Sequence, residues 1–140
     1  MNFLVPHDGS EHAFRALEEA VKLSQKLGGE TNIEVLIVVP DLCLVDVGID
    51  ECNIITNTLY KEAQGIKAKI NEKLASLGTK AEVRIEAGSE VDSILKCADG
   101  CQADFIVIGA AGKHGSGRGR LGSVADKVVS KSDRSVMIIR

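Results

Sequence analysis

Apolar residues recur along this chain at two periods, and the switching between them predicts alternating strands and helices. "NFLVP" (2–6) is a short apolar run of strand length. Asp8, Gly9 and Ser10 follow it as turn and helix-cap residues. Ala13, Leu17, Ala20 and Leu27 then fall at helical spacing through "EHAFRALEEAVKLSQKL", which Gly28 and Gly29 stop. "IEVLIVVP" (33–40) is almost wholly apolar, as a strand covered on both faces should be. From Asp41 to about Asn57 the pattern fades around Gly48 and scattered acids, so a loop is predicted there. Leu59, Ala63, Ile66, Ile70, Leu74 and Leu77 mark a second helix that ends at Gly78.

"AEVRIE" (81–86) alternates strictly, which leaves one face wet and predicts an edge strand. Ser89 is placed to cap a third helix carrying Val91, Ile94, Leu95 and Ala98. "DFIVIG" (104–109) reads as a central strand, "SVADKVVSKS" (123–132) as a fourth helix and "SVMII" (135–139) as a last strand. With no internal repeat, residues 1–140 form one domain of order β-α-β-α-β-α-β-α-β. Such alternation predicts an open parallel sheet with right-handed crossovers and helices on both faces. Ligands of these sheets sit outside the carboxyl ends of the strands. Here those ends carry "PHDGS", "VPD" and "GAAGKHGSGRGRLGS".

Composition narrows the partners. At 140 residues, 44% hydrophobic and 26% charged, the chain can bury one core, built from aliphatic residues because aromatics are only 3%. A net charge of −3 offers no global attraction for nucleic acid or an anionic membrane. No apolar run approaches the roughly 18 residues of a membrane span, and "MNFLVPHDGS" lacks a signal-peptide pattern, so a cytoplasmic location is expected. Cys43, Cys52, Cys97 and Cys101 match no zinc spacing, and no metal site is expected from them. Cys97 and Cys101, at i and i+4, are expected to be neighbours around a helix end.

The run 109–123 concentrates six of the fourteen glycines with Lys113, His114, Arg118 and Arg120. Glycine permits positive φ and lets a ligand reach backbone amides. Gly122-Ser123 opens a helix, whose first amides are unpaired and whose dipole favours an anion. These parts suit a polyphosphate. A Walker A loop fails on spacing, since two residues separate Gly109 from Gly112 and Lys113-His114 follow. Gly117, Gly119 and Gly122 spell GxGxxG, but far from the first strand, so a dinucleotide site is weakly supported.

The spacing that remains, Gly109-x2-Gly112-x9-Gly122-Ser123, resembles the signature of the ATP-binding branch of the universal stress protein family. "FLVPHDGSEHAFRALEEAVKLSQKLG" and "CQADFIVIGAAG" are similar to that family's first and fourth strand regions. The resemblance implies an adenine-nucleotide alpha-hydrolase-like (Rossmann-like) fold with five strands in order 3-2-1-4-5. By that similarity Pro6, Asp8 and Val39 would surround an adenine, and Ile108 and Gly109 would lie along base and ribose. Gly112, Gly122, Ser123 and Val124 would meet the phosphates, with Lys113 beside them. The implied ligand is ATP, with AMP or ADP as alternatives and Mg²⁺ as a counterion of ATP. The implied assembly is a homodimer through the C-terminal strand 135–139.

Two positions depart from the family pattern. Ser135 stands where a proline commonly enters the last strand, and His7 replaces a residue that is more often small or apolar. Alternation along the first strand aims His7 away from Asp8, towards a neighbouring element. Plainer readings compete: a solvated glycine loop, a turn role for Asp8, and surface charges at Lys113, Arg118 and Arg120, of which one is expected to reach a phosphate. No second acidic site for Mg²⁺ and no catalytic base are visible, so efficient phosphoryl transfer is not expected. The sequence therefore points to a dimeric nucleotide-binding stress-response module, against a dimeric scaffold without nucleotide or a slow ATPase or autokinase.

Overall fold

Two apolar faces on one sheet organise the molecule, seen here in a computed structural model that describes residues 1–41, 48–113 and 119–140. The elements are β1 (Asn2–Pro6), α1 (Glu11–Leu27), β2 (Asn32–Val39), α2 (Ile49–Ser76), β3 (Glu82–Ala87), α3 (Glu90–Gly100), β4 (Phe105–Gly109), α4 (Ser123–Lys131) and β5 (Ser135–Ile139). All strand pairs are parallel, in the order β3-β2-β1-β4-β5. The five-stranded Rossmann-like architecture and its strand order are those expected.

Strand alternation divides the core into two layers. Phe3 and Val5 of β1, with Val35, Ile37 and Val39 of β2, pack under α1 and α2. Leu4, Leu36, Ile106 and Ile108 face the other way, under α3 and α4. The inner strands β1, β2 and β4 are apolar on both faces because each face is covered by helices, and Leu4, Leu36, Val35 and Val107 are wholly inaccessible. On β3 only Val83 is fully buried while Glu82 and Arg84 stay exposed, as an edge strand with one wet face requires.

One boundary differs from the expected loop over 41–57. α2 begins at Ile49, ten residues before Leu59, and runs unbroken for 28 residues to Ser76. Its first turns bury Cys52 but expose Ile54 and Ile55, so the apolar residues there do not trace a single stripe. Residues 42–47 lie outside the described segments.

Candidate ligand site at the strand carboxyl ends

The site is built first by the turn after β1. His7 donates its amide to the Leu36 carbonyl at 2.8 Å, which keeps the chain alongside β2 for one residue beyond the strand. Gly9 takes φ of +83°, a conformation that favours glycine, and turns the chain into α1. The Ser10 hydroxyl accepts the Ala13 amide at 3.2 Å and caps that helix. Asp8 serves both ends of the turn. Its Oδ1 accepts the Ser10 amide at 2.9 Å, and its Oδ2 accepts the Lys113 amide at 3.1 Å from the loop after β4. Burial opposes ionisation of the Asp8 carboxyl, but the hydrogen bonds from Ser10 and the Lys113 amide, with the nearby His7, hold it below the usual carboxylate value.

His7 points to α1 as the alternation predicts. Its ring meets Phe14 edge-on with centroids 4.4 Å apart. Nδ1 accepts the Gly9 amide at 3.0 Å, so the proton of the neutral ring resides on Nε2, which is buried with no hydrogen-bond partner. Burial lowers the pKa to about 4, against the smaller raising effect of Asp8.

The loop after β4 supplies the second side. The Gly122 amide donates to the Ala110 carbonyl at 2.7 Å, and the Ala110 amide to the Ile139 carbonyl at 2.7 Å, which closes the loop at its base. The glycines of the signature do not serve the positive φ expected of them; among the described glycines of 109–123 only Gly119 has it, at +98°. They serve close approach instead. A Cβ on Gly109 would lie 2.8 Å from the His12 backbone, and one on Gly112 would lie 2.6 Å from Asp8 Oδ2. A Cβ on Gly122 would sit 3.2 Å from Ala111 Cα. Gly122 is also the N-cap of α4 and brings no capping side chain, while its carbonyl accepts the Asp126 amide at 2.9 Å. The amides of Ser123, Val124 and Ala125 thus precede the first helical bond and form the electropositive end of α4.

These segments enclose one cavity of about 620 Å³. All ten residues singled out in the sequence line it. Pro6 and Asp8 come from the end of β1 and Val39 from the end of β2. Ile108 and Gly109 come from β4, Gly112 and Lys113 from the loop, and Gly122, Ser123 and Val124 from the start of α4. His114, Gly117 and Arg118 lie outside the described residues; Arg120 is exposed.

The sequence reading missed one wall. Leu59, Glu62, Ala63 and Ile66 of α2 line the cavity at i, i+3, i+4 and i+7. Their spacing shows a shared helix face, but only the packed structure shows that this face closes the site. Glu62 accepts from Lys113 Nζ at 3.1 Å, and Glu90 of α3 is a further carboxylate on the wall. A second concavity, of about 570 Å³, runs along β3 beside Tyr60, Lys67 and Arg84 and includes none of the ten. The larger cavity is thus lined by aliphatic side chains together with glycine backbone, helix amides, a lysine and the carboxylates of Asp8, Glu62 and Glu90. Helix amides and a lysine suit an anion and the aliphatic side chains suit an apolar group, while Cβ-free backbone at Gly112 and Gly122 lets the loop pack against Asp8 and Ala111.

A family model described as the universal stress protein family matches residues 1–140. The chain belongs to that family. Among curated relatives, universal stress protein YxiE of Bacillus subtilis is 32% identical, over 98% of this chain and 97% of its own. Universal stress protein MJ0531 of Methanocaldococcus jannaschii is 29% identical, over 98% of this chain and 80% of its own. Among solved structures, universal stress protein UspA from Lactobacillus plantarum superposes with a TM-score of 0.87 at 27% identity, covering 100% of this chain and 97% of that one. Two more distant members share the fold at 22% and 18% identity, with TM-scores of 0.73 and 0.70. The first is a universal stress protein in complex with cAMP, covered over 97% of its length and 100% of this chain. The second is a family protein from Arabidopsis thaliana with AMP bound, covered over 90% of its length and 99% of this chain. No described helix of this universal stress protein is long and apolar enough to cross a membrane.

Proposed function

We propose that the cavity binds an adenine nucleotide, ATP or AMP, and that the chain works as a cytoplasmic dimeric regulatory module of the stress response whose surface reports occupancy. The observation that supports this reading is that the backbone of Gly112 and Gly122, the α4 amides and Lys113 line one cavity with aliphatic side chains such as Ile37, Val39, Ile66 and Ile108. Its volume of about 620 Å³ falls within the roughly 300–1,000 Å³ of small-molecule sites. Pro6, Asp8 and Val39 would border the base, Ile108 and Gly109 the base and ribose, and Gly112, Lys113, Gly122, Ser123 and Val124 the phosphates. The relatives bound to cAMP and AMP support an adenine ligand. With ATP, Mg²⁺ would accompany the phosphates. The dimer would form along β5, a half-buried edge strand with no neighbour on its outer side among the described strands.

Calorimetry with ATP and with AMP on the wild type and on Gly122→Val tests the site. The valine's Cβ would lie 3.2 Å from Ala111 Cα, so it should displace the loop and the start of α4 and weaken binding at least about tenfold. Equal affinity would remove the phosphate end of the reading. Sedimentation tests the dimer.

A scaffold that holds no nucleotide is the second reading, favoured by one observation. Asp8 already accepts the Lys113 amide and Glu62 already holds the Lys113 ammonium, so the lysine expected to meet phosphate is paired within the protein. Mass spectrometry of protein purified gently separates the two: co-purified nucleotide supports the first, its absence together with flat titrations the second.

A further inference from the structure

We propose that Glu34, Cys97 and Cys101 form a binding site for a thiophilic d¹⁰ divalent cation of the Zn²⁺ class, at the opposite end of the sheet from the cavity. The spacing of the cysteines excludes a zinc finger, but the fold adds a donor from another element. Glu34 lies near the start of β2, on the face covered by α3, and Cys97 and Cys101 lie one helical turn apart at the end of α3. One ligand atom from each falls within 4.8 Å of the other two. Cys97 Sγ lies 3.3 Å from Glu34 Oε1. Bonds of about 2.3 Å to sulfur and about 2.0–2.2 Å to oxygen, at tetrahedral angles, need sulfur and oxygen roughly 3.5 Å apart; the Cys97–Glu34 pair is close to that spacing, and Cys101, within 4.8 Å, closes on the ion by up to about an ångström.

Both thiols are free, and the three side chains are screened unequally. Cys97 is buried, whereas Cys101 and Glu34 are half-buried, which leaves the fourth coordination position on the solvent side. In the ion-free protein the Cys97 thiol donates to Glu34, and burial with that carboxylate pushes it up to about 12. Binding releases both thiol protons to solvent and forms two metal–sulfur bonds and one metal–oxygen bond. Arg84 Nη1 lies 2.8 Å from Glu34 Oε1, and Nη2 is 2.8 Å from Glu86. Arg84, shared between Glu34 and Glu86, offsets part of the negative charge that two thiolates and the carboxylates bring to the dication. Soft ligands and a single carboxylate disfavour Mg²⁺ and Ca²⁺, which demand oxygen.

The test uses the full chain, reduced and stripped of metal, titrated with Zn²⁺ against a chromophoric chelator and with Cd²⁺ by ultraviolet thiolate-to-metal absorption. The wild type should take up one ion that the Cys97→Ser/Cys101→Ser double variant does not, with a Cd²⁺ band scaled to two thiolates. Glu34→Gln should weaken binding at least about tenfold. Because Cys97 is packed in the core, Cys101→Ser alone supplies a variant at a half-buried position; with its melting temperature kept, it should also lose at least about tenfold in affinity. Uptake in the wild type no greater than in the double variant overturns the site. Equal affinity in Glu34→Gln overturns the three-donor geometry.

Discussion

The Asp8 carboxylate accepts the backbone amide of Lys113 at 3.1 Å across 105 residues of sequence, and thereby ties the turn after β1 to the loop after β4. The same carboxylate holds the Ser10 amide through its other oxygen. Asp8→Ala removes both bonds, and a loss of about 1–2 kcal/mol is expected at neutral pH. Chemical denaturation measures the loss, and amide hydrogen exchange at Lys113 should quicken with it. An unchanged exchange rate would mean that the loop is held elsewhere.

Gly109 and Gly112 are both crowded, but by different neighbours, so alanine should act differently at each. At Gly109 the new methyl meets the His12 backbone at 2.8 Å, which cannot rotate away. Gly109→Ala should therefore push β4 from the first turn of α1 and cost about 1–3 kcal/mol. At Gly112 the obstacle is Asp8 Oδ2, the end of a side chain. Gly112→Ala should displace Asp8, cost less in stability, and weaken the proposed nucleotide binding more. Paired melting curves and titrations of the two variants check this reversal of order.

Acid should unsettle this fold through His7. In the folded chain its pKa is lowered from 6.5 to about 4, because burial penalises the imidazolium. As pH falls through that window the unfolded chain takes up the proton first, so stability is complete above about 6.5 and declines towards 4. The full change corresponds to about 3 kcal/mol. Asp8, also lowered, loses its contribution in the same direction at lower pH still. His7→Asn, which can keep an acceptor for the Gly9 amide but does not titrate, should flatten the profile of unfolding free energy between pH 4 and pH 6.5.

Glu62 competes with any anion for Lys113. The pair is 3.1 Å long, with side chains 41% and 58% exposed for lysine and glutamate, so its own contribution to stability is under about 1 kcal/mol. Glu62→Gln should hardly move the melting temperature, yet free the ammonium and tighten the proposed binding of ATP. Calorimetry at low and high salt reads the effect, which should shrink as screening rises.

The element order and the edge position of β3 were legible because each rests on local pattern or on a rule of open parallel sheets, whereas the ten residues that line the cavity were singled out through the family resemblance. Helix α1 coincides with its apolar stripe, and Ser10 caps it as its position suggested. Ser89 occupies the N-cap of α3 but makes no side-chain capping bond, since position alone does not set a rotamer. The early start of α2 was hidden by exposed Ile54 and Ile55; the acids Asp50 and Glu51 after Gly48 were the helix-start signal available.

By itself the sequence determined where chain direction reverses, which faces are apolar and where bare backbone gathers, since periodicity and glycine spacing are properties of neighbours along the chain. Only the tertiary structure decided what those glycines make room for, that α2 walls the cavity, and that Glu34 joins Cys97 and Cys101. The physical reason is range: each of these contacts joins residues far apart in sequence, brought together by packing on a shared sheet that no local pattern encodes.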